Sequence, residues 1–253
     1  MNYEKLLEGK TAVVTDADNA VGKAVARLFA RHGAAVALGV KDLREGYRLV
    51  SEISGLSKNS FAAACDLSDA ESVENFCLEV KKRWELVNAL VNDPWLDPAA
   101  VLPFERATDF DDSLILQVYQ HSVVQTCRAF WPAMIAHGRC AVVNISSSSV
   151  FKAAPGALLF TMANGALGGL TRVPAVEGGI HEVRVNEIFA GFGVNGPECA
   201  KAPLKRGAAA SRPDIDGVAN TALFLASDMA SYVSGVSISA SGGAQRMRYA
   251  ALN

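Results

Sequence analysis

Asn144-Ile145-Ser146-Ser147-Ser148-Ser149, a loop with Pro155-Gly156, and then Phe160-Thr161-Met162-Ala163-Asn164-Gly165-Ala166-Leu167-Gly168-Gly169-Leu170-Thr171 form the stretch on which the reading of this chain turns. The apolar run before it, Ala141 to Ile145, predicts a buried strand that delivers the serines to a sheet edge. Ser147 then reads either as a site serine or as one of four serines in a polar turn. The small residues that follow predict a helix over about 157–177 lying close against that strand.

The same alternation of strand and helix extends in both directions. Upstream, strands are expected at Lys10–Thr15, Ala35–Val40, Ser60–Cys65 and Val87–Asn92, with helices at about Ala20–His32, Leu43–Ile53 and from Asp69 to about Lys82. A long helix is expected from about Phe110 to Ala136. Downstream come a strand at Val183–Ile188, a helix at about 214–227 and a last strand at Val236–Ala240. Residues 190–212 carry no clear period and read as a mobile substrate loop, and 244–253 read as a tail. Strands alternating with helices imply an α/β, Rossmann-like, doubly wound parallel sheet of about seven strands with helices on both faces. No composition break marks a second domain, so residues 1–253 read as one.

Bulk properties exclude several classes. The chain has 253 residues, half of them apolar, and a net charge of −2, so no polyanion partner and no nucleic acid are expected. Four histidines are scattered and none pairs with cysteine at ligand spacing, so no metal is expected. Five irregularly spaced cysteines fit reduced thiols in a cytoplasm. Charged residues from Glu4 to Lys10 argue against a signal peptide, and no apolar run is long enough to span a membrane.

The 144–171 stretch resembles the short-chain dehydrogenase/reductase family. There a strand ends in Asn-x-Ser-Ser and a Tyr-x-x-x-Lys follows about 13 residues after the second serine. Here Phe160 stands where the tyrosine belongs and Asn164 where the lysine belongs. The resemblance implies that the tyrosine exchanges a proton with substrate while hydride moves to or from a nicotinamide, and that the lysine lowers the phenol pKa. Phenylalanine has no exchangeable proton and asparagine no charge, and losing a positioned acid–base group costs roughly 10²–10⁴ in rate. Ser147 matches the family's substrate-orienting serine, and Tyr119 falls where the family carries an active-site asparagine. Tyr119 either points its phenol into the site or fills space beside Phe160.

The cofactor loop departs in the same direction. The family writes Thr-Gly-x-x-x-Gly-x-Gly, and this chain reads Thr15-Asp16-Ala17-Asp18-Asn19-Ala20-Val21-Gly22. Only Thr15 and Gly22 survive, and Gly22 is the glycine of helix–sheet packing. Asp16 and Asp18 add negative charge where a diphosphate would bind. At an effective dielectric near 20, each like-charge pair within 5–6 Å costs about 3 kcal/mol before screening. The alternative is that both aspartates face water and cap the helix. Asn92-Asp93-Pro94-Trp95 replaces the family's Asn-Asn-Ala-Gly, so Asn92 is a remnant. Asp66 matches the adenine-side aspartate, with capping of the next helix as its other reading. Val40 falls where NAD-dependent members carry an acid, and Lys41 follows it.

These departures imply a catalytically degenerate subunit that binds no cofactor itself. It would assemble with an active paralogue in a hetero-oligomeric NAD(P)-dependent alcohol dehydrogenase, with NAD in the partner. Heteromeric members of the family are known, one of them acting on a hydroxybenzylsuccinyl-CoA, so a hydroxyacyl-CoA is a candidate substrate. Arg246 or Arg248 of the tail is a candidate contact to a neighbour's substrate. The alternative is an atypical NAD(P)-dependent oxidoreductase using Ser147 with Tyr119. A cofactor-free dehalogenase of this fold would need tyrosine and arginine at 160 and 164, and both are absent. A small-molecule sensor is a further alternative.

Overall fold

The computed structural model describes residues 4–95, 103–109, 112–151, 155–191 and 214–243. Among them the strands are β1 (Thr11–Val14), β2 (Ala35–Val40), β3 (Phe61–Ala64), β4 (Ala89–Asn92), β5 (Cys140–Ser147), β6 (Val183–Ala190) and β7 (Ser237–Ala240). The helices are α1 (Ala20–Arg31), α2 (Leu43–Ile53), α3 (Ala70–Arg83), α4 (Asp112–Leu116), α5 (Ser122–His137), α6 (Leu158–Gly179) and α7 (Ile215–Ala226). The strands form one sheet in the order β3-β2-β1-β4-β5-β6-β7, and every pairing is parallel. Both faces of such a sheet must be covered, so its central strands are apolar on both sides. Ala12, Val13 and Val14 of β1 accordingly have no exposed surface.

Two apolar layers result. One joins the sheet to α1, α2 and α7 through Val21, Val25, Phe29, Leu38, Leu49 and Leu223. The other joins it to α3, α5 and α6 through Phe76, Val80, Phe130, Met134, Leu167 and Val185. Local signals set the helix ends. Asn19, Asp42, Asp69 and Asp214 cap α1, α2, α3 and α7 with side-chain oxygens. Lys81, Lys82 and Arg83 lie in the last turn of α3, where the helix dipole favours cations. At the far edge, Arg184 donates to the carbonyls of Leu225 and Ser227, and Asn186 donates to Val233 O and accepts from Val236 N. These bonds fasten the C-terminal segment to β6.

Three expectations are corrected. The long helix from Phe110 to Ala136 is interrupted by a π-helical turn, Gln117–His121, between α4 and α5. One extra residue per turn there changes which side chains face inward, and Val118 and Tyr119 are enclosed. Ser146 and Ser147 are not in a polar turn: β5 runs through Ser147 because β6 pairs with it over its whole length, from Cys140↔Val183 to Ser147↔Ala190, and the 3-10 turn begins only at Ser148. That pairing satisfies the backbone groups and overrides serine's local preference for turns. Helix α3 is capped by Asp69 and not by Asp66. The expected mobile loop lies outside the described residues apart from 190 and 191, as does the whole 244–253 tail with Arg246 and Arg248.

Candidate active site

The carboxyl ends of β1, β2, β4 and β5 line up along one edge of the sheet, and the chain order switches between β1 and β4 there. Open α/β sheets bind ligands in the crevice outside such a switch point. The described positions singled out for catalysis or cofactor binding fall on this edge or on the helices beside it.

On the β5 side, Asn164 does not replace a charge. Its Oδ1 accepts from the Ser147 amide at 2.8 Å and its Nδ2 donates to Phe160 O at 2.8 Å, with the side chain buried. It latches α6 to the end of β5, and both ends of the carboxamide are used. Phe160 meets Tyr119 edge to face, 6.2 Å between ring centroids and 89° between planes. The space-filling reading of Tyr119 therefore agrees with its position, although its ring also borders a cavity. That cavity is lined by Tyr119, Ser146, Ser147, Phe160 and Asn164 and has a volume of about 30 Å³. It admits one or two waters. Ligand pockets are typically about 300–1,000 Å³.

Behind the cavity lies a group that sequence reasoning missed. Glu187 on β6 has no exposed surface, and its Oε2 accepts from Ser237 Oγ at 2.6 Å. Burial raises its pKa, opposed by the Ser237 and Ser146 hydroxyls and by the Arg172 charge. An ionisable residue inside an apolar strand run was the signal available in the sequence.

Asn92 is spent on the core. It donates to Asn144 Oδ1 at 2.9 Å and accepts from Thr126 Oγ1 at 2.8 Å, while Asn144 donates to Thr171 Oγ1 at 3.0 Å. This chain of amides and hydroxyls ties β4, β5, α5 and α6 together beneath the site.

On the β1 side the cap belongs to Asn19, whose Oδ1 accepts from Gly22 N at 2.8 Å. Asp16 and Asp18 are therefore not water-facing caps, which corrects that alternative. Asp16 has φ +51, the left-handed region where the family places a glycine and which aspartate tolerates better than most residues. Asn19 Nδ2 points to two carboxyls, Asp16 Oδ2 at 3.3 Å and Asp93 Oδ2 at 3.0 Å. Asp93 is fully buried with Oδ1 unpartnered, and its pKa is pushed up to about 8, first by burial and then by the Asp16 charge. Burial, then the Asp18 charge, raises Asp16 to about 7. Asp18 reaches across to β2, where its Oδ2 accepts from the amides of Lys41 and Asp42 at 3.0 and 2.9 Å. Lys41 Nζ pairs with Asp66 Oδ2 at 2.9 Å, which also holds the Asp66 carboxyl below its ordinary value against burial.

Gly22 keeps the role expected of it. A Cβ there would lie 2.7 Å from Asp16 O and 2.8 Å from Ala17 Cα, so only glycine lets α1 come this close to the loop. Ala20 opens α1 and is exposed. The loop thus keeps its packing glycine. What it offers to the crevice, however, is carboxyl oxygen, the wrong partner for a diphosphate, and these residues do not fit a dinucleotide. Among the described residues no group of three or more His, Cys, Asp or Glu could hold a metal. No described helix is long and apolar enough to cross a membrane.

Fold and crevice define a doubly wound α/β protein of the nucleotide-binding type. A family model described as "Enoyl-(Acyl carrier protein) reductase" matches residues 16–245. A 3-oxoacyl-(acyl-carrier-protein) reductase of Thermotoga maritima is 30% identical over 244 residues, covering 94% of this chain and 98% of its own. An uncharacterised short-chain type dehydrogenase/reductase of Sinorhizobium fredii is 30% identical over 251 residues, covering 94% and 98%. The structure of a short-chain dehydrogenase/reductase from Serratia marcescens superposes with a TM-score of 0.86 at 24% identity, over 95% of this chain and 99% of that one. The chain belongs to the short-chain dehydrogenase/reductase family.

Proposed function

We propose that this chain is a catalytically degenerate member of its family. It assembles with an active paralogue in a hetero-oligomeric NAD(P)-dependent alcohol dehydrogenase, and the nicotinamide cofactor is held by the partner. One observation carries the reading. At the position of the family's lysine stands a buried carboxamide whose donor and acceptor are both consumed by backbone, with Phe160 one turn earlier. No group at these two positions exchanges a proton. The outer face of α6 supports assembly: Met162, Val173, Val176 and Ile180 are exposed, the last two at 78% and 84%. A row of exposed apolar side chains along a 22-residue helix is a surface that calls for cover. The substrate class follows the name of the Thermotoga maritima relative, a 3-oxoacyl-(acyl-carrier-protein) reductase, so a hydroxyacyl carrier ester such as a hydroxyacyl-CoA is proposed for the complex.

The test is purification from the native source with mass analysis of what accompanies the chain, then turnover by the chain alone and by the pair. The reading expects a co-purifying paralogue with intact Tyr-x-x-x-Lys and turnover only in the pair. Turnover of an alcohol or ketone by the chain alone refutes it.

A second reading, an atypical oxidoreductase, draws on one arrangement. Tyr119, Ser146 and Ser147 border the same cavity, and burial raises the pKa of Glu187 on the neighbouring strand. That reading expects tight, saturable dinucleotide binding and loss of turnover in Tyr119→Phe.

A further inference from the structure

The Asp18 carboxylate bonds backbone far from it in sequence. Its Oδ2 takes the amides of Lys41 and Asp42, 23 and 24 residues away, at the corner between β2 and α2. Ala17 N donates to Gly39 O at 2.8 Å alongside, drawing the same loop onto β2. On the other side Asn19 Nδ2 ties the loop to Asp93 after β4, 74 residues away. Lys41 and Asp66 close an ion pair over the β2–β3 end of the crevice. The β1–α1 loop is therefore fastened to both neighbouring strands, and on each side a side chain of the loop itself takes part.

We infer that Asp16–Asn19 is a built-in lock that fills the dinucleotide crevice from within, with Asp18 as an internal anion on the donors of the β2–α2 corner. An anionic ligand entering there must displace a carboxylate already bonded to two amides, and it meets Asp16 beside it. Two amide donors that would otherwise be open to a ligand's oxygens are engaged in the resting fold. The inference deepens the proposed function, since it supplies the physical reason for leaving the cofactor to a partner, and it rests on that reading. It also makes a distinction that charge counting does not: the obstacle is one specific contact, removable by one substitution.

The experiment uses the full chain. Amide exchange is followed at Lys41 and Asp42, and NAD+ and NADP+ are titrated calorimetrically into the wild type, Asp18→Ala and Asp18→Asn. Asp18→Ala is expected to speed exchange at both amides at least tenfold and to strengthen dinucleotide binding at least tenfold over the wild type. Asp18→Asn keeps an acceptor and removes the charge, so the fold is retained and binding still strengthens, by threefold or more. Unchanged exchange in Asp18→Ala overturns the lock. So does wild-type binding as tight as that of both variants, or, should Asp18→Ala not fold, unchanged affinity in Asp18→Asn. Turnover is measured in parallel: tight wild-type binding without turnover sinks the lock and the assignment of the cofactor to the partner but leaves the catalytically degenerate subunit standing, whereas turnover by the wild-type chain alone sinks the proposed function.

Discussion

Asp93 shows how burial changes the meaning of a residue. A carboxyl with no exposed surface and one unpartnered oxygen favours its protonated form, because desolvating the charge costs more than a single hydrogen bond from Asn19 returns. Asp16 shares the bridging amide and its charge raises Asp93, while Asp16 itself is raised by burial and then by the Asp18 charge. Both therefore hold protons more tightly folded than unfolded, from an ordinary 3.8 to about 7 for Asp16 and about 8 for Asp93. Stability from this pair is fully present below about pH 4 and is lost as pH rises toward 8. Asp93→Asn, which cannot ionise, should flatten that part of the pH dependence and stabilise the chain at pH 8 by on the order of 1–3 kcal/mol, measured by urea unfolding at several pH values. Asn164 is the other residue whose environment decides its role. Asn164→Ala leaves the buried Ser147 amide without its acceptor and should cost roughly 1–3 kcal/mol. Restoring the family's pair by Phe160→Tyr with Asn164→Lys should break the same latch, so a midpoint fall and no alcohol turnover are expected together.

The elements explain why the site has this form. Helix α1 starts where it does because Asn19 caps it, and it lies close to the β1 loop because Gly22 has no side chain. Gly22→Ala would place a methyl against backbone atoms that cannot rotate away, so a loss of about 1–3 kcal/mol or more is expected from chemical denaturation. The π-helical turn at Gln117–His121 acts on the opposite side, enclosing Tyr119 against Phe160. Neither the turn nor the continuation of β5 through Ser147 is written in local propensity. A helix period through 110–136 reads as continuous because one inserted residue hardly alters the apolar spacing, and serines in a row read as a turn until a partner strand is known. The strands and most helices are different. Their apolar runs, caps and spacing are local, and those expectations agree with the structure to within a few residues.

For the whole molecule, the parallel sheet decides what meets what. It sets the ends of β1, β2, β4 and β5 side by side, and so assembles Asp16, Asp18, Asp93, Lys41 and Asp66 from distant parts of the chain. A ligand that binds the folded state at 100 times its Kd would raise stability by about 2.7 kcal/mol. Millimolar NAD+ is expected to leave the Tm of the isolated chain unchanged, as measured by differential scanning calorimetry. Helix α6 belongs to the same level, since its inner face serves the core and its outer face exposes Met162, Val173 and Val176, the surface proposed to meet a partner. Val176→Lys with Ile180→Lys should change the stability of the isolated chain by no more than about 0.5 kcal/mol per site, as exposed substitutions do. It should abolish co-purification of the partner.

Some properties needed no coordinates. Alternating apolar runs imply a doubly wound sheet, and a phenyl ring at 160 lacks a proton whatever surrounds it. Those are properties of short segments and of single side chains. The fate of the polar groups was not legible in the same way. That Asn19 rather than an aspartate caps α1, that Asp18 bonds the amides of Lys41 and Asp42, that Asn164 is a latch and that Glu187 is enclosed all depend on atoms brought together by folding. Hydrogen bonding and desolvation act over a few ångströms of space, and in a parallel sheet neighbours in space lie tens of residues apart along the chain.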